Sequence, residues 1–103
     1  MVNVYIYLEN ESAAKKAALG LLEADLAAHV SIDKDNHSFM KKEGKVIKEV
    51  SYVLTLQTKA LLFDKIVDYI QIHFGMEIKI YSLPITQCNT AFSEVIRHHT
   101  KTD

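Results

Sequence analysis

The longest extended pattern in the chain does most to limit its fold. Across residues 46–58, Val46, Val50, Tyr52, Leu54 and Leu56 share one face. Glu49, Ser51, Thr55 and Gln57 share the other, with Val53 as an apolar exception. This period of two is that of a strand with one buried face. Thirteen residues at about 3.3 Å each span about 43 Å. Strands are usually about five or six residues long, so one end of this strand should project beyond its own domain.

The other segments set the context for that strand. Val2, Val4, Ile6 and Leu8 alternate with Asn3, Tyr5 and Tyr7 in a first strand. Asn10 offers an N-cap with Glu11 in the first turn, and 11–27 reads as helix through Ala14, Ala18, Leu21, Leu22 and Leu26. Residues 28–33 alternate again, with Ala28, Val30 and Ile32 opposite His29, Ser31 and Asp33. A polar break over 33–37 follows, after which Phe39-Met40 resumes the strand. Glu43-Gly44-Lys45 is a turn in which Gly44 is free to take positive φ. After the long strand, Leu62, Ile66, Tyr69 and Ile70 mark the inner side of a helix over about 60–73, and Gly75 stops it. A last strand over 76–83 places Met76, Ile78 and Ile80 inward, and Pro84 ends it. Asn89 caps a short helix through Phe92, Val95 and Ile96, and 97–103 reads as a polar, frayed tail.

Strand, helix, strand, strand, helix, strand is the ferredoxin-like βαββαβ order. The fold class is therefore α+β: one domain over 1–103, a four-stranded antiparallel sheet with both main helices on one face. Val4, Ile6, Val30, Leu54, Leu56, Ile78 and Ile80 form the expected core beneath the helices. The other sheet face carries Tyr5, Tyr7, Tyr81 and Val53. So aromatic a face, together with the over-long strand, predicts an oligomer built through the sheets.

Composition narrows the function classes. The 103 residues carry a formal net charge of -1, with 12 basic and 13 acidic side chains. That balance lacks the basic stripe that phosphate-backbone binding requires, so no nucleic acid partner is expected. Arg97 is the only arginine, which leaves bidentate phosphate recognition poorly served. No apolar run approaches the roughly 20 residues of a membrane span, and the first residues do not resemble a signal sequence. Cys88 is the only cysteine, in keeping with a reducing compartment and a cytoplasmic location. An acyl phosphatase on this fold would need an arginine in the loop after the first strand. That segment is Leu8-Glu9-Asn10-Glu11. There is no glycine-rich phosphate loop either, so no enzymatic activity is expected.

An ordered set of short motifs carries a family resemblance. Leu21-Leu22-Glu23 through Leu26-Ala27-Ala28-His29-Val30-Ser31-Ile32 resembles the first-helix and second-strand signature of the CutA divalent-cation-tolerance proteins. Ser38 followed by Glu43-Gly44-Lys45 resembles their hairpin motif. Tyr52-Val53-Leu54, Thr58-Lys59 and Leu62-Phe63 are similar to the long strand leading into the second helix. Leu83-Pro84-Ile85 with Asn89 and Phe92 is similar to the end. The resemblance implies a homotrimer of ferredoxin-like subunits, akin in fold to PII signalling proteins, whose long hairpin strands pair across subunits. It also implies a role in tolerance of copper or another divalent cation. His29 stands where the family commonly has a cysteine, and Lys41-Lys42 where it has tryptophan. Of the family's His-Pro-Tyr-Glu stretch only His73 remains. The alternative is a PII-like regulatory or scaffolding trimer that binds a small molecule or a protein in its intersubunit clefts.

Four residues are candidates for ligand contact. Three copies of His29 could converge on a metal if their strand face meets a threefold axis, since imidazole suits copper and zinc. The plainer role for His29 is a hydrogen-bonded interface histidine. His73, at the end of the second helix, is a second metal candidate, although a cation there also complements the helix dipole. Glu43 and Lys45 could contact a ligand in a subunit cleft or simply form a polar turn. Cys88 has no neighbouring base in sequence and reads as a plain thiol. Asp33 and Asp35 read as turn formers. His98 and His99 are adjacent, so on a helix they point apart.

Overall fold

The structure, a computed structural model, describes residues 1–102. Four strands and three helices follow the expected order: β1 (Val2–Leu8), α1 (Glu11–Glu23), β2 (Val30–Lys42), β3 (Lys45–Thr58), α2 (Phe63–Phe74), β4 (Ile80–Pro84) and α3 (Thr90–His99). A single 3₁₀ turn over Ala60–Leu62 leads into α2. The sheet is antiparallel throughout, in the order β2-β3-β1-β4.

The core follows the phase of the apolar residues. Val4 and Ile6 on β1, with Leu54 and Leu56 on β3, are fully buried under α1 and α2. Burying each such side chain contributes about 1.5–3 kcal/mol. Ala14, Ala17 and Ala18 let α1 lie close to the sheet, and Leu62, Ile66 and Ile70 seal it from α2. Val30, Ile78 and Ile80 were expected to be equally buried, but they are half-buried at the margin of this cluster. The sheet order explains this for Val30 and Ile80, since β2 and β4 are its two edges.

Several boundaries differ from the sequence reading. α1 ends at Glu23 and does not run to 27. Asp25 takes φ 58°; its N–H donates to the Leu22 carbonyl oxygen, and that of Leu26 to Leu21. These two bonds make a Schellman motif with aspartate in the position usually held by glycine, and they turn Leu26 into the core. The polar segment over 33–37 does not break the strand. β2 runs on through a bulge between Asp33 and Asn36, with Asp35 at φ 57°. Asp33 and Asp35 therefore shape a strand, not a loop. β4 begins at Ile80, and Met76 is 72% exposed in the turn before it, not inward. Gly75, at φ 121°, sends the chain out of α2 at an angle that β-branched residues cannot adopt. The tail is not frayed up to Lys101. α3 includes Arg97–His99, and Thr100 is buried. The Lys59 ammonium donates to the carbonyl oxygens of Thr100 (3.2 Å) and Lys101 (2.6 Å), and the Lys101 N–H donates to that of Asp25 (2.8 Å).

The long third strand projects as expected. β1 pairs with Tyr52–Thr58 only, so Lys45–Ser51 is bonded to β2 and bare along its other side. The molecule measures 46 × 28 × 21 Å. Glu43 and Gly44 close the hairpin with φ of 52° and 78°, the two positive values of a two-residue type I′ turn.

Candidate functional site

Two surfaces stand out: the helix-free sheet face and the projecting hairpin. On the sheet face, Tyr81 stacks on Tyr5 with ring centroids 4.8 Å apart, and Tyr7 lies 6.3 Å from Tyr81. Cross-strand register brings Tyr5 opposite Tyr81. The Gln57 amide donates to the Asn3 side-chain oxygen (2.7 Å), and the Asn3 amide donates to the Tyr5 hydroxyl (2.6 Å). Val53 is buried on this face beside Tyr7, which accounts for the one apolar exception in the β3 pattern. A hydrogen bond with Tyr7 pushes the Tyr81 phenol above its ordinary pKa, with desolvation adding to the effect. The hairpin exposes large apolar side chains: Phe39 and Val46 are each 70% exposed, and Val50 is also open to solvent.

The candidate residues fall in three separate places. His29 is exposed immediately before β2, not within the strand as expected. It lines an apolar cavity of about 300 Å³ beside Gln57, Phe92 and Val95, under the edge of α3. His73 sits in the last turn of α2, where its Nδ1 lies 2.9 Å from the Tyr69 carbonyl oxygen and its ring stacks on Tyr69 at 4.3 Å. A carbonyl can only accept, so Nδ1 carries the proton and Nε2 is the free nitrogen. Its cavity also holds Lys16, and no carboxylate lines it. An ammonium lining the same cavity opposes a bound cation. Glu43 and Lys45 are both exposed at the hairpin tip, away from either histidine's cavity.

Among the described residues, no three His, Cys, Asp or Glu side chains lie close enough together to hold a metal ion. One chain thus brings a single imidazole to each cavity and does not fit a closed chelate, which needs about four ligands for zinc. Cys88 is a free, exposed thiol. His98 Nε2 lies 2.6 Å from a Glu94 carboxylate oxygen within α3, while His99 is not part of that pair. Sequence reasoning missed the cavity at the base of the hairpin, lined by Tyr7, Ser38, Glu49, Ser51, Lys79 and Tyr81. Its residues come from all four strand regions, so no local motif announced it.

Together these features define a ferredoxin-like α+β domain with a projecting β-hairpin and an aromatic open sheet face. The model of the CutA1 divalent ion tolerance protein family matches residues 2–99, and the chain belongs to that family. Among relatives, the chloroplastic protein CutA of Arabidopsis thaliana is 26% identical over 99 residues, covering 95% of this chain and 54% of its own length. The crystal structure of CutA1 from Oryza sativa superimposes with a TM-score of 0.92 at 26% identity, covering 99% of this chain and 94% of that one. The divalent cation tolerance protein of Thermus thermophilus gives 0.90 at 27%, covering 98% and 100%. The chain spans about half the length of the curated relatives it matches. No helix is long and apolar enough to cross a membrane among the described residues.

Proposed function

We propose that this chain is the subunit of a homotrimeric divalent-ion tolerance protein, without catalytic activity, that handles copper or a related cation through ligands contributed by more than one subunit. The carrying observation is the bare side of Lys45–Ser51 on a hairpin that leaves the sheet. Unpaired strand edges of this kind are normally covered. The tyrosine face supplies a second contact, since each enclosed aromatic side chain buries about 150–250 Å². A threefold, head-to-tail contact covers both with one repeated interface; family membership favours three copies over two. A metal then needs neighbouring subunits, because no three ligating side chains gather among the described residues of one chain. His29, at the margin of the open face, is the candidate donor, and Lys16 argues against His73. The lone Cys88 suits a reducing compartment such as the cytoplasm.

Light scattering at micromolar concentration tests the assembly. The expected mass is about three times 11.7 kDa, and a monomer mass at all concentrations defeats the proposal. Tyr5→Lys should lower the mass while leaving the helix-covered core folded. Calorimetric copper titration of the wild-type assembly and of His29→Ala tests the donor; equal affinity in the two removes His29.

A further inference from the structure

Three segments remote in sequence meet in a ring of hydrogen bonds beside α3. The Thr58 hydroxyl donates to the Leu26 carbonyl oxygen (2.7 Å) in the turn after α1. The next residue, Lys59, donates its ammonium to the carbonyl oxygens of Thr100 and Lys101, just beyond α3. The Lys101 N–H returns to the same turn, at the Asp25 carbonyl oxygen (2.8 Å). The Thr100 hydroxyl donates to the Ile96 carbonyl oxygen (2.6 Å), which ties the ring to the last turn of the helix. Two of the three donors on the Lys59 ammonium are thus engaged by the segment that follows α3. Hydrogen bonds from a charged donor are roughly twice as strong as neutral ones.

Within the chain, the other anchor of α3 is Ile96, its buried residue, which stands apart from the main core cluster. Ile96 separates two cavities, one lined by Ala28, His29 and Gln57 and the other by Met1 and Lys59. On the side of β4, Ile85 is pinned by its N–H, which donates to the Met1 carbonyl oxygen (3.0 Å). An exposed, irregular stretch over 86–89 then leads into the helix. We propose that α3 is a hinged flap, with 86–89 as the hinge and the Lys59 ring as the latch that keeps Ile96 in its seat. Release lifts Ile96, joins the two cavities into one trough and frees the Lys59 ammonium inside it. In the closed chain, carbonyl oxygens of the chain itself occupy that ammonium. The latch goes beyond the tolerance role and does not depend on the assembly. A neighbouring subunit can cover α3, but every donor and acceptor of the ring belongs to one chain.

The test is amide hydrogen exchange on the full chain, in whatever assembly it adopts, with light scattering on the same samples. A helix of 10 residues is shorter than the roughly 12–15 residues at which an isolated helix becomes even marginal. Each undocking therefore exposes all of its amides at once. The amides of 93–99 should share one protection factor, lower than that of Val4, Ile6, Leu54 and Leu56 in the core. Lys59→Met should lower it at least about tenfold across the whole set, as expected for lost hydrogen bonds from a charged donor. Core amides should keep their wild-type rates. Ile96→Ala, which leaves the latch groups in place, should lower the same set together. Acceleration confined to 98–101 in Lys59→Met would show fraying, and protection of 93–99 equal to that of the core would show that α3 opens only with the whole fold. Either result overturns the inference. Unchanged exchange of 93–99 in Lys59→Met at trimer mass overturns it too, and leaves the assembly standing. The expected pattern at monomer mass supports the latch and removes the assembly.

Discussion

Gly20 lies within α1 where the Tyr69 side chain of α2 crosses it, and adding one methyl group there gives a prediction with a definite sign. A Cβ on Gly20 would stand 1.8 Å from the Tyr69 hydroxyl oxygen and 2.7 Å from Cζ. Favourable contacts begin near about 3.5 Å, so the tip of the ring must retreat by roughly 1.5–2 Å. The ring is stacked on His73 and packs against the core, so it cannot swing freely. Overpacking of this kind costs about 1–3 kcal/mol. Against it, glycine to alanine inside a helix gains about 0.8–1 kcal/mol. Gly20→Ala should therefore destabilise the fold by about 1 kcal/mol. In a Tyr69→Ala background the obstruction is gone, and the same substitution should stabilise by about 0.8–1 kcal/mol. The coupling of about 2 kcal/mol lies well outside the tolerance of about 0.3–0.5 kcal/mol for independent sites. Urea unfolding of the four proteins measures it, at one fixed chain concentration because assembly contributes to apparent stability. Stabilisation by about 1 kcal/mol in the protein that keeps Tyr69 would refute the reasoning, since helix propensity alone would then account for the site.

Three further expectations rest on single contacts. Thr58, fully buried, donates its hydroxyl to the Leu26 carbonyl oxygen at 2.7 Å. Thr58→Val keeps the shape, strands that carbonyl and should cost about 1–3 kcal/mol, whereas Thr58→Ser should cost less; equal losses in urea would show that packing, not the bond, matters. The Tyr81 phenol is raised above 10.0 in the fold, so the stability it contributes is fully present below the unfolded value and is lost as pH rises through the folded one. Alkaline unfolding of Tyr81→Phe should lack that component, and an unchanged alkaline limb would contradict it. Lys59→Met removes the donor to the Thr100 and Lys101 carbonyls. Amide exchange at Lys101 should accelerate while that of the β1 core stays slow, and an unchanged Lys101 rate would exclude the clamp.

The fold was legible where one rule acted alone. Period-two alternation placed β1 and the long β3, and helical spacing placed α2, because a single buried face dictated each pattern. The misreadings arose where a local conformation carried no composition signal. Asp25 closes α1 in a left-handed conformation that sequence rules assign first to glycine. The run of charged and polar residues over 33–37 looks like a loop by composition, yet it is held in a strand by its partners on β3. The tail looked polar because its anchors, Lys59 and Asp25, are remote in sequence. The site residues were harder still. His29 and His73 were singled out by chemistry alone, and only their surroundings separate an apolar cavity from one shared with Lys16.

The bulge between Asp33 and Asn36 has a consequence for how this chain can change length over evolution. Val30 and Ile32 lie opposite Leu56 and Leu54, on the helix-covered side, whereas Asn36 lies opposite Ser51, on the tyrosine side. Even-numbered residues of β2 therefore change sides at the bulge, and Phe39 lies opposite Lys48 on the side continuous with the core face. Losing one residue at 34 or 35 would remove the bulge and leave Asn36 opposite Ser51 and Phe39 opposite Lys48, whereas losing one between Asn36 and Phe39 would transpose every position beyond it, moving Phe39 to the tyrosine side and Met40 away from it. A matched pair of deletions, one from each strand nearer the Glu43-Gly44 turn, would shorten the hairpin and leave the remaining faces in place. Viable relatives should therefore vary in hairpin length near the tip, or lack the one extra residue of the bulge, while keeping the count of residues between Asn36 and Phe39 fixed.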